Sequence, residues 1–307
     1  MRAVVVEEFG GADAAQVMVV DDPQPGPEEV VVEVAAAGIN PVDTATRKGL
    51  LHEAGLHQQP PVRLGWDVAG RVRAVGAGVR RIRPGQPVIG LSDRLNAPTK
   101  SHGELVTLDE VAVSGVPAES DLTRLSILPL AGLTAWQALK RTAVHRGQTL
   151  LVTGAAGAVG SLIAQLARLE GVAVIGAGRE QHRERIEAFD ATFVDVARLA
   201  EDVREAVPSG VDAAIDTAVL GAASLDAVRS GGRHVSLVVT ERPAPLRGIE
   251  STSVAVRGSW RQLTILASLH ATGALCVPEP STYPLTEAAA AYAAAEEPAN
   301  GRTALTT

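Results

Sequence analysis

Three glycines carry the most specific chemistry in the chain. Gly154, Gly157 and Gly160 lie in Thr153-Gly-Ala-Ala-Gly-Ala-Val-Gly160. An apolar run at 149–152 precedes them and reads as a buried strand; a second at 162–169 reads as a helix. Strand, glycine turn and helix form the setting in which backbone amides at a helix start hold a pyrophosphate. Gly154, Ala155, Ala156, Gly157, Ala158 and Val159 are therefore the candidate phosphate contacts. Gly157 lets the backbone come close to the ligand, and Gly160 lets the helix pack on the strand. The next strand, 172–176, runs into Gly176-Ala-Gly-Arg-Glu180. Sites that select NAD usually place an acid at that strand end to bind the ribose 2′-hydroxyl. Here Arg179 stands in that region, suited to pair a 2′-phosphate, with His182 and Arg183 one turn on. The expected cofactor is NADPH. The bland alternative for Arg179 is a solvated helix start, because 25 of the 28 basic residues are Arg.

Two kinds of element must position this loop. Residues 1–120 read as β-rich, with strand-like runs at 4–6, 30–35, 68–75, 87–91 and 105–108 between proline and glycine turns. One short helix is expected there, with Asn40 able to cap it, Pro41 at its first position and Gly49 ending it. From Asp121 the pattern changes. Helices are expected after Asp121 and at 129–141. Strands at 149–153, 172–176, 192–195, 211–215 and 233–238 then alternate with helices at 158–170, 179–188, 197–206 and 219–229. That alternation marks a doubly wound parallel sheet. Residues 263–270 and 286–296 read as further helices, and 302–307 as a strand returning to the first domain. The fold class is α/β. Its parts are a β-rich domain over 1–120 with a C-terminal return over 258–307, and a Rossmann nucleotide domain over 121–257.

The composition narrows the partners. The 307 residues are 46% hydrophobic, 21% charged and 3% aromatic, with net charge −7 and no basic stripe, which argues against nucleic acid. Cys276 is the single cysteine, so no intramolecular disulfide or cysteine-rich zinc lobe can form, which suits a reducing cytoplasm. Acidic residues at 7 and 8 come too early for a signal peptide. The apolar stretch 149–167 is broken by its glycines, so no membrane span is expected.

Taken alone, the Thr153-Gly154 start suggests a short-chain reductase. The loop, however, lies in mid-chain, position 158 is Ala, and neither Tyr283 nor Tyr292 is followed by a Lys four residues on. The chain instead resembles the medium-chain dehydrogenase/reductase superfamily, in particular its zinc-independent quinone oxidoreductase branch. The resemblance is carried by Glu7-Glu-Phe-Gly-Gly11, Ala36-Ala-Gly-Ile-Asn-Pro-Val-Asp43, Leu64-Gly-Trp-Asp-Val-Ala-Gly70, Val75-Gly-Ala-Gly78, Pro129-Leu-Ala-Gly-Leu-Thr-Ala-Trp-Gln-Ala-Leu139, the glycine loop and Ser230-Gly-Gly-Arg233. It implies a GroES-like catalytic domain, a Rossmann domain inserted after it, and a homodimer.

The same resemblance assigns residues. Zinc-dependent relatives place a Cys where this chain has Asn40 and a His where it has Trp66. Neither substitute supplies the thiolate or imidazole that a catalytic zinc requires, so no metal is expected. Asn40 is placed near the nicotinamide and its ribose, as an orienting group, or serves only as a helix cap. Thr134 and Leu237, Val238 and Val239 are placed along the nicotinamide; a self-bonding Thr and plain core are the alternatives. Independently of the resemblance, His52 and His57 in the loop after Leu50, and Trp66, Leu95 and Trp260 as apolar walls, are candidates for the acceptor pocket, against loop or core roles. Asp67 reads as a strand-starting acid bonded to nearby amides. Many relatives carry a Tyr near 44–47; this chain has none before Tyr283, so that proton donor is missing.

The expected activity is NADPH-dependent hydride transfer to a quinone or to an α,β-unsaturated carbonyl, with the protein supplying orientation and exclusion of water. Two alternatives stay open: an enoyl reductase that tailors a polyketide-like intermediate, and an NADPH-binding redox sensor without turnover.

Overall fold

The computed structural model describes residues 1–297 and 301–307. In chain order it begins with β1 (Arg2–Val6), β2 (Gln16–Val19) and the ten-residue β3 (Glu29–Gly38), then α1 (Pro41–Arg47) and α2 (Leu50–Glu53). Next come β4 (Val62–Arg63), β5 (Asp67–Val75), β6 (Pro87–Leu91), β7 (Leu105–Asp109), β8 (Val113–Gly115), α3 (Leu122–Leu125) and α4 (Pro129–Thr142). The alternating part follows: β9 (Thr149–Thr153), α5 (Ala158–Leu169), β10 (Ala173–Gly178), α6 (Arg183–Glu187), β11 (Thr192–Asp195), α7 (Leu199–Ala206), β12 (Val211–Asp216), α8 (Ala222–Asp226), β13 (Val228–Ser236) and β14 (Glu250–Ser253). The chain closes with α9 (Trp260–Ala271), β15 (Ser281–Pro284), α10 (Ala288–Glu296) and β16 (Thr303–Thr306).

These elements form two units, 1–130 with 257–307, and 131–256. The change of composition at Asp121 therefore precedes the structural division, which falls in the first turn of α4; α3, capped by Asp121 accepting the Arg124 amide at 3.0 Å, belongs to the first unit.

In the first unit β3 is central. It pairs antiparallel with β5, β7 and β16, in a sheet ordered β15-β16-β3-β5-β6-β8. The alternation of Val30, Val32 and Val34 faces these side chains into one core with Val68, Val72, Val88 and Val106. A smaller sheet, β2-β1-β4, buries Val4, Val6 and Val62 with Leu64, Leu285 and Tyr292. The pairing of β16 with β3 realises the expected C-terminal return.

In the second unit every strand pairing is parallel, and the order is β11-β10-β9-β12-β13-β14. Numbered within this sheet, that order is 3-2-1-4-5-6, the order of a dinucleotide-binding sheet. Leu151, Ile175, Val194 and Ala214 of its strands pack with Leu199, Val203 and Leu225 of the helices.

The structure corrects several expected elements. The helix expected over 219–229 shrinks to α8, and β13 begins at Val228. Val219 at φ 59° and Gly221 at φ 55° keep the chain off the helical path until α8 begins, and the register of β13 shifts on β12. The helix expected over 179–188 is a 3-10 turn, Glu180–His182, followed by the short α6. β14 was not expected: Glu-Ser-Thr-Ser has no apolar run, and only parallel pairing with β13 makes it a strand.

Candidate functional site

The nucleotide loop leaves β9 at the centre of the parallel sheet, where strand order reverses between β10 and β12, the usual place for a ligand in such sheets. Gly154 turns the chain at φ 61°. Its carbonyl accepts the Gly157 amide at 2.8 Å, and the Ala155 amide donates to Ala177 at 3.2 Å. Gly160 has a stricter task than packing on the strand. A Cβ there would stand 2.3 Å from the Gly154 carbonyl oxygen and 2.9 Å from the Ala155 Cα, so the helix packs on the loop itself. At Gly157 the added Cβ would meet only Gly154 O, at 3.1 Å, and the residue is exposed. Ala155 and Ala156 are buried, whereas Ala158 and Val159 are half-buried. The amides that open α5 have no acceptor four residues back within the helix. The cradle therefore fits a phosphate group, with the N-terminus of the twelve-residue α5 aimed at it.

A second layer that the sequence did not reveal holds this loop. Thr153 Oγ donates to Asp216 at 2.6 Å and accepts the amides of Thr217 and Ala218 at 3.0 and 3.1 Å. The other Asp216 oxygen accepts the Gly221 amide at 2.7 Å. The C-terminal ends of β9 and β12 are locked together this way. A Thr and an Asp 63 residues apart give no local signal.

Arg179 and Arg183 differ in availability. The guanidinium of Arg179, exposed after the end of β10, has no hydrogen bond or ion pair among the described residues, while its carbonyl accepts the His182 amide at 2.8 Å. Arg183 is engaged: its guanidinium donates to Glu180 at 2.6 and 2.9 Å and to Glu187 at 3.4 Å, and it lies 4.1 Å from the Phe193 ring centroid. Those contacts push its already high pKa further up. Leu237 is half-buried after β13, and Val238 and Val239 are 42% and 60% exposed, so the last two are not core. Thr134 is half-buried in α4.

In the first unit a buried polar cluster surrounds Asn40. Asn40 is the N-cap residue of α1, in a capping box whose other half is Asp43. The Asp43 carboxylate accepts the Asn40 amide at 2.9 Å, and its other oxygen accepts the Gly65 amide at 2.8 Å. Asn40 Nδ2 donates to Asp67 at 2.8 Å and to Gly38 O at 3.3 Å, while its Oδ1 accepts from Arg302 at 2.9 Å. Asp67 is fully buried and accepts the Leu130 amide at 2.5 Å, as a strand-starting acid should; Asn40 and Arg302 (3.5 Å) are further partners. Burial lifts its carboxyl to about 6, against the opposing pull of Arg302 and the hydrogen bonds.

His102 and Tyr292 are buried beside this cluster. His102 Nε2 faces the Gly38 carbonyl at 3.1 Å, so it carries the proton; Nδ1 then accepts from the Tyr292 hydroxyl at 2.8 Å. Burial lowers the His102 pKa and raises that of Tyr292 well above its ordinary value. The pair ties α10 to β3.

Of the pocket candidates, Trp66 is the most informative. It is 9% exposed, and the Lys100 ammonium lies 4.6 Å from its ring centroid. Gly65, at φ 112°, permits this: a Cβ there would meet the His102 amide at 2.4 Å. Segment 100–102 therefore crosses directly over residue 65. Leu95 is half-buried in the loop after β6. His52 is held locally, with Nδ1 2.9 Å from His57 O, Nε2 2.8 Å from Gln59 and its ring stacked on Phe9. Trp260 lies under the guanidinium groups of Arg81 and Arg261, at 4.4 and 5.2 Å. A cavity of about 330 Å³ opens in the first unit, lined by Asp21, Glu29, Arg63, segment 92–94 and Asp109 among others. It contains none of the pocket candidates, and its charges largely pair with one another: Arg94 bonds both Glu29 and Asp109.

Residues 26–119 match the alcohol dehydrogenase GroES-like domain, and residues 187–301 match the zinc-binding dehydrogenase family. A probable quinone oxidoreductase of Schizosaccharomyces pombe is 33% identical over 242 residues, covering 76% of this chain and 70% of that protein. The chain belongs to the medium-chain dehydrogenase/reductase superfamily, in its quinone oxidoreductase branch. The chloroplastic NADPH-dependent alkenal/one oxidoreductase of Arabidopsis thaliana is 29% identical over 262 residues, 82% of this chain and 66% of its own length. Among solved structures of the superfamily, an alcohol dehydrogenase superfamily protein of Novosphingobium aromaticivorans superposes with a TM-score of 0.87 at 30% identity, over 100% of this chain and 99% of that one. Membership in this superfamily implies a nicotinamide cofactor, which the glycine cradle fits.

Membership also raises zinc, and here the residues do not fit. At the two positions where zinc-dependent medium-chain enzymes carry Cys and His, this chain offers a carboxamide with both donors used and an indole backed by an ammonium. Neither is a ligand, and the buried cation repels a second one.

Proposed function

We propose that the protein is a zinc-independent, NADPH-dependent reductase of quinones or α,β-unsaturated carbonyls. The observation that carries this reading is the amide cradle Gly154–Val159 at the strand-order reversal, followed one strand later by an exposed, unpaired Arg179 in place of an acid. The names of the quinone oxidoreductase and alkenal/one oxidoreductase relatives support the acceptor class.

NADPH, when bound, supplies the hydride. The chain's own residues bind and orient. The α5 amides take the pyrophosphate, Arg179 pairs the 2′-phosphate, and Val238 and Val239 offer an exposed apolar surface to the nicotinamide end. Trp66 and Leu95 of the first unit contribute apolar surface to the acceptor. The buried His102–Tyr292 pair is closed to solvent, so protons for the reduced acceptor come from water. A charged quinol oxygen accepts them readily, which favours quinones over enones.

A screen of NADPH oxidation over quinones, enals and enones tests this. Turnover with NADPH well above NADH is expected. NADPH binding with no oxidation by any acceptor would replace the reductase with a redox sensor. Selective turnover of an acyl-thioester enone would favour the enoyl reductase of a polyketide-like intermediate. Zinc at one equivalent per chain, with activity lost on chelation, would overturn the metal-free reading. We also propose a cytoplasmic homodimer; the single Cys276 suits the compartment, and light scattering at twice 31.7 kDa is the expected mass. Among the described residues no helix is long and apolar enough to cross a membrane.

A further inference from the structure

Lys100 is a buried charge that the proposed reaction does not use. It is 3% exposed, whereas Lys48 and Lys140 are exposed. Its ammonium has three neighbours: the carbonyl oxygens of Ser92 at 2.6 Å and Arg94 at 3.3 Å, and the Trp66 ring. The Ser92 amide in turn donates to the Trp66 carbonyl at 2.8 Å. One side chain therefore joins the indole to the backbone of segment 92–94, which already holds the Trp66 main chain.

No carboxylate among the described residues lies at ion-pair distance from this ammonium. The charged groups that face it are engaged elsewhere. Asp43 accepts the Asn40 and Gly65 amides, and Asp93 accepts the Gly258 amide. The Arg94 guanidinium is directed to Glu29 and Asp109. Burial keeps His102 neutral. Desolvation accordingly dominates and brings the Lys100 ammonium down to about 8, against the opposing pull of Asp43 and Asp93. A methionine would fill this volume without desolvating a charge. What the ammonium alone provides is attraction to the ring face together with bonds to two carbonyls.

We propose that Lys100 is a positioning residue for acceptor binding: its ammonium fixes the Trp66 indole and segment 92–94 as one wall against which the quinone or enone lies, so acceptor affinity falls when the lysine loses its proton. This rests on the reading of Trp66 as acceptor surface. Above about pH 8 the neutral amine still donates to the carbonyls, but its pull on the ring is gone. The wall then loosens. Hydride transfer to an acceptor already seated keeps its rate.

The test uses the full chain with saturating NADPH, and 9,10-phenanthrenequinone and trans-2-octenal as acceptors, between pH 6.5 and 9.5. The wild-type acceptor KM is expected to rise about tenfold across this range while kcat stays within about twofold. Lys100→Arg keeps KM low and flat, because a guanidinium does not titrate there. Lys100→Met has a high KM at every pH; if it does not fold, the wild-type and Arg profiles decide. Indole emission from the wild type shows a step near pH 8 that is absent from Lys100→Arg, Lys100→Met and Trp66→Phe. A flat wild-type KM, an Arg variant with the same rise, or the absence of the emission step would overturn the proposal. If the wild type binds NADPH and reduces neither acceptor, the reductase reading falls. The emission step then still decides whether the ammonium is seated on the indole.

Discussion

The nucleotide loop and the Asn40 cluster are built from opposite materials. The loop is backbone: glycine conformations, helix-start amides and a carbonyl that no side chain may approach. The cluster is side chain: residues 40, 43, 67 and 302, brought from three stretches of sequence into one buried network. A backbone site tolerates almost any side chain that leaves the path open, and fails when the path is blocked. A side-chain network tolerates small shifts of the path, and fails when one partner is removed and a buried charge is left alone. The contrast predicts which substitutions abolish binding and which cost stability.

Gly160→Val attacks the backbone site directly. Its Cβ would sit 2.3 Å from Gly154 O. NADPH affinity is expected to fall about 100-fold or more, at a stability cost of roughly 3 kcal/mol from overpacking. Nucleotide titration and thermal unfolding measure both, and an affinity within threefold of wild type would show that the loop is not the cradle.

Arg302→Met attacks the side-chain network and leaves Asp67 with Asn40 and the Leu130 amide. A cost of about 3–5 kcal/mol is expected at pH 7 by denaturant titration. The sign with pH follows from Asp67, whose carboxyl is already lifted to about 6 and rises further without Arg302. Below pH 6 the acid protonates in both proteins, so the deficit should narrow as pH falls. A deficit constant from pH 4 to 8 would mean that Arg302 acts by packing alone.

Smaller effects belong to the exposed arginines. Arg179→Ala should weaken NADPH about tenfold to 100-fold, roughly 1.4–2.7 kcal/mol, and leave NADH unchanged. Equal affinity of the intact protein for the two nucleotides would remove the NADPH assignment. Smallest of all, Glu180→Gln frees Arg183 from its bidentate partner, and NADPH should then bind about threefold more tightly. No change would mean that Arg183 does not reach the nucleotide.

The two regions also differ in how far they could be read in advance. Glycine spacing after an apolar run is a local pattern, and so is the alternation of strands with helices that marks the parallel sheet. The Thr153–Asp216 lock behind the loop was missed because its partners are 63 residues apart. Asn40 carries the local signal of a helix start and is the N-cap of α1, whereas its bonds to Asp67 and Arg302 have no local signal. Asp67 was read as bonded to amides, which it is, while Arg302 at the far end of the chain gave no sign of being its partner. Lys100 has no motif at all. Its isolation from acids and its place on Trp66 depend on Gly65 letting segment 100–102 cross.

By itself the sequence determined the elements whose cause is local. Strand-like runs between proline and glycine turns made the β-rich unit, and the strand–glycine–helix order made the tight turn between β9 and α5. Tertiary structure alone decided what long-range pairing sets. It made Glu250–Ser253 a strand, cut the helix after Gly221 short, engaged Arg183 while leaving Arg179 free, and enclosed the Lys100 charge against an indole. The physical reason is one of range. Backbone propensity acts over a few residues, whereas desolvation and charge pairing depend on neighbours that only the folded chain brings together.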